Sequence, residues 1–127
     1  MSTAKFNTWV NPDGTENYKC RAWVNFNGTG TVAIRAAGNV TSITDQGVGG
    51  YTINFTTAMP DADYACVVAI STGSFGSATL TGASIASTIS GANQNELVPT
   101  TTAVGFTTNT RSGTAADVKY ASVAIFR

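Results

Sequence analysis

Few side chains in this 127-residue chain can do chemistry on their own: seven carboxylates, two thiols and no histidine. Histidine is the usual general base near neutral pH and the commonest metal ligand, so its absence removes both roles together. It also leaves no Ser-His-Asp or Cys-His arrangement. Asp61 and Asp63 are two residues apart and could share a Ca²⁺ site with nearby carbonyls. In Pro60-Asp61-Ala62-Asp63 they read more simply as a turn. Glu96 could supply half of a glycosidase pair, but no spacing sets a second carboxylate opposite it. Gly47-Val48-Gly49-Gly50 lies between two strand patterns and not ahead of a helix, so it lacks the context of a phosphate loop. Asn-X-Thr triplets at Asn27, Asn39 and Asn54 arise by chance in a Thr-rich chain, and no secretory signal supports glycosylation. The expectation is a non-enzyme without metal or cofactor.

What remains are groups that stack and form hydrogen bonds. Phe75 sits in a Gly/Ser loop, and Asn93, Gln94 and Asn95 form a polar cluster; amides around an aromatic suit a carbohydrate-contacting surface. The same composition is common in loops that bind nothing. Trp9 reads either as core filler or as an anchor in a subunit contact. Arg21, Trp23 and Arg35 are the contact candidates of the first strands, and subunit packing is their expected role. Cys20 and Cys66 fall in apolar strand patterns, where a cysteine usually acts as a small buried hydrophobe. A disulfide between them is disfavoured in the reducing compartment implied by the absence of a signal-peptide pattern.

The elements that would position these groups are strands. Tyr18, Cys20, Ala22, Val24 and Phe26 alternate with Lys19, Arg21, Trp23 and Asn25, so the two sets face opposite sides of a sheet. Asn27-Gly28-Thr29-Gly30 breaks the run and Thr31–Ala36 resumes it, which predicts a hairpin. Ala37-Gly38-Asn39 is a second break. Val40–Thr44 and Tyr51–Thr57 flank a glycine-dense turn and predict a second hairpin, with Tyr51, Ile53 and Phe55 on one face. Further sheet is expected to add to the first ribbon. Pro60 cannot sit inside a central strand, so 59–63 is a turn. Tyr64–Ser71 follows, and Cys66–Ile70 lacks alternation, which predicts a strand buried on both faces. Residues 72–98 are nearly low-complexity Gly/Ser/Thr/Ala, with short strands expected at Ala78–Thr81 and Ala83–Thr88. Thr100–Thr110, with Val104 and Phe106 on one face, and Val118–Arg127 close the chain.

Seven to nine short strands with regular turn signals point to an all-β protein, an antiparallel β-sandwich. The expected organisation is an N-terminal arm, 1–17, and one sandwich domain, 18–127, with a variable loop segment at 72–98. Charged residues make up only 11% of the chain, against about 25% in ordinary soluble domains. With seven basic and seven acidic residues the net charge is zero. There is no basic stripe to attract nucleic acid and no apolar run of membrane-spanning length. A neutral, hydroxyl-rich surface does not resist association by charge repulsion, which suggests an assembly.

The wording of these segments adds a resemblance. The run from Tyr18 to Val68, YKCRAWVNFNGTGTVAIRAAGNVTSITDQGVGGYTINFTTAMPDADYACVV, resembles a module at the C-terminal end of bacteriophage tail-fibre and related virion proteins, notably of phages of cyanobacteria and other aquatic bacteria. VPTTTAVGFTTNT and ASVAIFR resemble the closing part of that module, while 72–98 departs from it. The resemblance implies a virion structural protein, jelly-roll-like and homotrimeric, made in the cytosol of the infected host. Its partners would be itself, other virion proteins and a host surface glycan or protein. Family members carry the module after a long shaft, so the chain is expected to be either a fragment of a fibre or a stand-alone spike. Two roles follow: a fibre or spike tip that contacts the host, or a capsid decoration protein that binds the shell without a receptor. Trp9, Trp23, Arg21 and Arg35 would then serve subunit or virion contacts.

Overall fold

The computed structural model describes residues 2–5, 7–14, 18–71, 80–85, 99–110 and 114–127, with the backbone alone for 80–85. Eight strands form: β1 (Cys20–Asn27), β2 (Ala33–Gly38), β3 (Val40–Asp45), β4 (Gly50–Phe55), β5 (Ala65–Ser71), β6 (Leu80–Ile85), β7 (Ala103–Thr110) and β8 (Tyr120–Phe126). They make two four-stranded sheets in the orders β2-β1-β8-β5 and β3-β4-β7-β6. Every pairing between neighbours is antiparallel. No helix occurs among the described residues, and the architecture is an all-β pair of antiparallel sheets.

The alternation read in β1 holds where the strand is central. Ala22, Val24 and Phe26 are buried between the sheets, opposite Ile125, Val123 and Ala121 of β8. The other sheet contributes Tyr51, Ile53 and Phe55 from β4 and Val104 and Phe106 from β7. Phe26, Tyr51 and Phe106 form the centre, with ring centroids 5.2, 6.0 and 5.5 Å apart. Tyr51 carries the one polar group of this trio, and its hydroxyl is satisfied. It lies 3.1 Å from both the Gly28 carbonyl and Asp117 Oδ1, and the Val118 N–H donates to it at 3.4 Å. Asp117 Oδ1 also accepts the Gly49 N–H at 2.8 Å, so this carboxylate ties the β3–β4 turn and the Tyr51 hydroxyl to the segment before β8.

The chain changes sheets across a single residue, Asn39, which adopts φ 56°. Asparagine tolerates this left-handed conformation better than most residues. Its side chain also ties the layers together. Nδ2 donates to Arg21 O of the first sheet and Thr57 O beside the second, and Oδ1 accepts the Thr57 N–H at 2.7 Å. The two hairpins therefore lie in different sheets, and the second does not extend the first ribbon as the sequence suggests.

Three further expectations are corrected. Tyr18 is 81% exposed and Cys20 is exposed, because the alternating run continues past the end of the sandwich where no second layer covers it. Cys20 is thus no core hydrophobe, and both cysteines are free thiols. β5 is not buried on both faces. It is the last strand of its sheet, with Cys66, Val68 and Ile70 half-buried toward the core and Ala65, Val67 and Ala69 facing out. Its unbroken apolar run reflects an apolar outer face, not a covered one. Trp9 is 58% exposed, which excludes core filling. Of the strands expected within 72–98, the described part is β6; residues 78–79 and 86–88 of those readings lie outside the described residues.

Burial perturbs the groups near this margin. The Cys66 thiol is pushed up to about 11 and the Tyr64 phenol up to about 12, in both cases first by loss of water around the charged form. The unfolded chain ionises first as pH rises, so stability from these groups is complete below about pH 8.5 and is lost above it. The melting temperature should therefore be level from pH 7 to 8.5 and fall between pH 9 and 12. A level profile to pH 11 in calorimetry would contradict this.

Candidate functional site

Among the described residues, the outer face of the β2-β1-β8-β5 sheet is the most distinctive surface. Its registers set Gly38, Trp23, Ala124 and Val67 in one row across all four strands, and Ala36, Asn25, Ser122 and Ala69 in the next. Period-two geometry places both rows on the side opposite the core. Trp23 is 45% exposed and Val67 57% exposed. The small residues between them form the floor of a groove of about 410 Å³, lined chiefly by Trp23, Asn25, Val67, Ala69, Ser122 and Ala124. None of these carries a charge.

Trp23 is held over its cross-strand neighbour. A Cβ on Gly38 would stand 2.4 Å from the indole Nε1, so the ring occupies the space that any other residue would fill. Asn25 Nδ2 donates to Ser122 Oγ at 2.8 Å, which leaves the polar part of the floor locally satisfied. Arg35 falls at a register shift in β2 opposite Asn25 and Phe26. Its guanidinium stacks 4.3 Å from the Tyr120 ring centroid and donates to Lys119 O at 2.7 Å and to Asn25 Oδ1 at 3.4 Å. Arg21 Nε donates to Arg127 O at 2.6 Å. The structure thus places Trp23, Arg35 and Arg21 on one sheet, with Trp23 presenting open apolar surface and both arginines anchored within the chain.

The opposite sheet offers a contrasting face. Ser42, Thr44, Thr52 and Asn54 point outward, and Asn54 Nδ2 donates to Ser42 Oγ and Thr44 Oγ1 at 3.0 and 2.9 Å. Hydroxyls and amides that satisfy one another can also remain hydrated. On this side the β3 and β4 hydroxyls and amides suit water, whereas Gly105 and Thr107 of β7 are buried on the same side; the Trp23 face of the other sheet suits burial against another surface.

The remaining sequence candidates divide clearly. Trp9 lies in the arm, whose residues 2–5 and 7–14 are all exposed. Phe75, Asn93, Gln94 and Asn95 lie outside the described residues, as does Glu96. Asp61 is engaged by Arg127 through two hydrogen bonds of 2.9 and 2.6 Å, which hold its carboxyl below the usual range. Asp61 Oδ1 also accepts the Asp63 N–H at 2.9 Å, the geometry of the expected turn. Among the described residues no group of three or more His, Cys, Asp or Glu is placed to hold a metal ion. Of the groove residues, sequence reading named Trp23 and missed Asn25, Val67, Ala69, Ser122 and Ala124. For Val67 and Ala69 the signal was present in the unalternating run of β5, which a two-sided strand and an apolar edge strand produce alike. A scan against protein-family models, a search of curated proteins and a search of solved structures each return no match for this chain.

Proposed function

We propose that the chain is a structural, non-enzymatic subunit of a bacteriophage virion, a homotrimer forming a fibre or spike tip that contacts the host cell surface. The observation that carries this reading is the uncharged outer face around Trp23 and Val67, set on a net-neutral chain. Four large side chains of that sheet, Trp23, Val67, Tyr120 and Phe126, are each between 38% and 57% exposed. Together they leave on the order of 400 Å² of apolar surface, the size of the largest patch on a typical monomer, which is often a functional one. The segment resemblance supplies the virion setting. In this reading, residues 72–98, with Phe75, Asn93, Gln94 and Asn95, meet the host glycan or protein, and the apolar sheet face meets sister subunits.

Light scattering at micromolar concentration should return about three times the 13.1 kDa chain mass. A monomer mass would count against the assembly. Purified protein should label cells of a susceptible aquatic bacterium, and replacing Phe75, Asn93, Gln94 and Asn95 by alanine should abolish labelling while leaving the mass unchanged. Unchanged labelling would remove those residues from the contact. A trimer that binds capsids and not cells would assign the protein to shell decoration instead.

A further inference from the structure

The sheet that bears the groove carries charge of one sign. β1, β2, β5 and β8 contain two arginines and no carboxylate. Arg35 and Lys119 both meet the Tyr120 ring, at 4.3 and 5.9 Å from its centroid. Tyr120 lies about 7 Å along β8 from Ser122 of the groove floor, so the two cations stand at the rim of the groove. Two copies of this face laid against each other would oppose like charges around an apolar centre, which disfavours that pairing. The complementary surface is an apolar group flanked by carboxylates.

The β3–β4 turn of the same chain has that composition. Val48 is 62% exposed there. Its neighbours Gly47 and Gly49 have no side chains, so the isopropyl group stands out as a narrow knob. Asp45 Oδ1 accepts the Gly47 N–H at 2.9 Å, and Asp117 Oδ1 accepts the Gly49 N–H at 2.8 Å. A carboxylate is thus fixed on each side of Val48. The turn is held in shape by Gln46 N–H to Gly50 O at 2.9 Å and Gly50 N–H to Gly47 O at 3.0 Å, so little freedom is lost when it docks. Among the described residues no salt bridge engages Asp45, Asp117, Arg35 or Lys119.

We infer that the β3–β4 turn of one copy seats Val48 in the groove of a second copy, between Trp23 and Val67, with Asp45 and Asp117 facing Arg35 and Lys119 at the rim. A groove of about 410 Å³ over Ala69 and Ala124 has room for the isopropyl group and the backbone beside it. The turn belongs to one sheet and the groove to the outer side of the other, with the core between them. A chain therefore does not fill its own groove with its own turn. Knob and groove are different surfaces, so the contact is head to tail, and such contacts close into a ring when the rotation permits.

The inference rests on the proposed self-assembly and specifies its contact. In light scattering, Val48→Lys and Asp45→Lys should each weaken association at least tenfold with unchanged circular dichroism, since each brings a cation to a cationic rim. Both positions are exposed, so the sandwich should fold with either substitution. In a Cys20→Ser background, Val48→Cys and Val67→Cys chains are prepared separately, mixed, equilibrated and oxidised. Cys66 stays protonated near neutral pH and contributes little exchange. The mixture should form a disulfide-linked dimer containing one chain of each type, while neither variant alone does so. An oligomer whose mass survives both lysine substitutions, with no mixed dimer, overturns the turn-in-groove contact and leaves the assembly reading standing. Efficient crosslinking of Val67→Cys chains to one another also overturns it, because like faces then meet. A parent protein that is monomeric at micromolar concentration overturns both readings.

Discussion

Phe26→Ala should destabilise the sandwich by about 3–5 kcal/mol, the cost of removing a buried aromatic and leaving part of its volume empty. Phe26 is fully buried and touches both partners of the central trio, with ring centroids 5.2 Å from Tyr51 and 6.0 Å from Phe106. It comes from β1 while the other two come from the opposite sheet, so the truncation opens a cavity between the layers. Neighbouring side chains have little freedom to collapse into it. Tyr51 is fixed at its hydroxyl by Gly28, Asp117 and Val118. For a domain with 5–15 kcal/mol of total stability, the loss is a large fraction and should lower Tm by on the order of 10–20 °C. Trp23→Ala is the informative comparison. Trp23 lies on the same strand but on the outer face, 45% exposed. Its removal should change Tm by only a few degrees and weaken self-association instead. Calorimetry and light scattering on the two variants separate the core side of β1 from its contact side. Equal losses of stability would refute that division.

Gly49→Ala should cost about 2–5 kcal/mol, the sum of left-handed strain and a backbone collision. Gly49 has φ +69°, and an added Cβ would stand 2.5 Å from the Thr108 carbonyl oxygen and 2.7 Å from the Ala116 nitrogen. Neither is the tip of a side chain that could swing away. Both take part in hydrogen bonds at the same point, Thr108 N–H to Gly49 O at 2.7 Å and Ala116 N–H to Thr108 O at 3.0 Å. Relieving the collision therefore disturbs the joint between the β3–β4 turn, β7 and the segment before β8. Gly30→Ala isolates the other component: its φ is +64° but nothing lies within 4 Å of its ideal Cβ. It should cost only the conformational part, about 1–2 kcal/mol. Urea unfolding of both variants measures the difference directly, and similar midpoints for the two would show that the backbone around Gly49 yields freely.

These two sites mark different degrees of legibility in the sequence. Phe26, Tyr51, Ile53, Phe55, Val104 and Phe106 are all buried, as their alternation with polar or small residues requires. The glycines at 47–50 announce a turn. Nothing in their spacing shows that Gly49 is pressed against β7, since that contact joins residues about sixty positions apart in the chain.

The same division holds for the candidate site. The sequence by itself determined the strand character, the β3–β4 hairpin, the turn at Pro60 and most of the inward-facing core. These depend on a residue and its near neighbours, through a period of two, proline's missing donor and the tolerance of glycine and asparagine for positive φ. Only the tertiary structure decided that the hairpins separate into two sheets at Asn39. It also decided that β5 ends its sheet and that Cys20 and Tyr18 lie beyond the core. The row Gly38–Trp23–Ala124–Val67 likewise exists only once β2, β1, β8 and β5 are side by side. Alternation says which residues share a face, but it is silent on whether that face meets water, a second sheet or another chain. That is settled by the lateral order of strands, which long-range pairing determines.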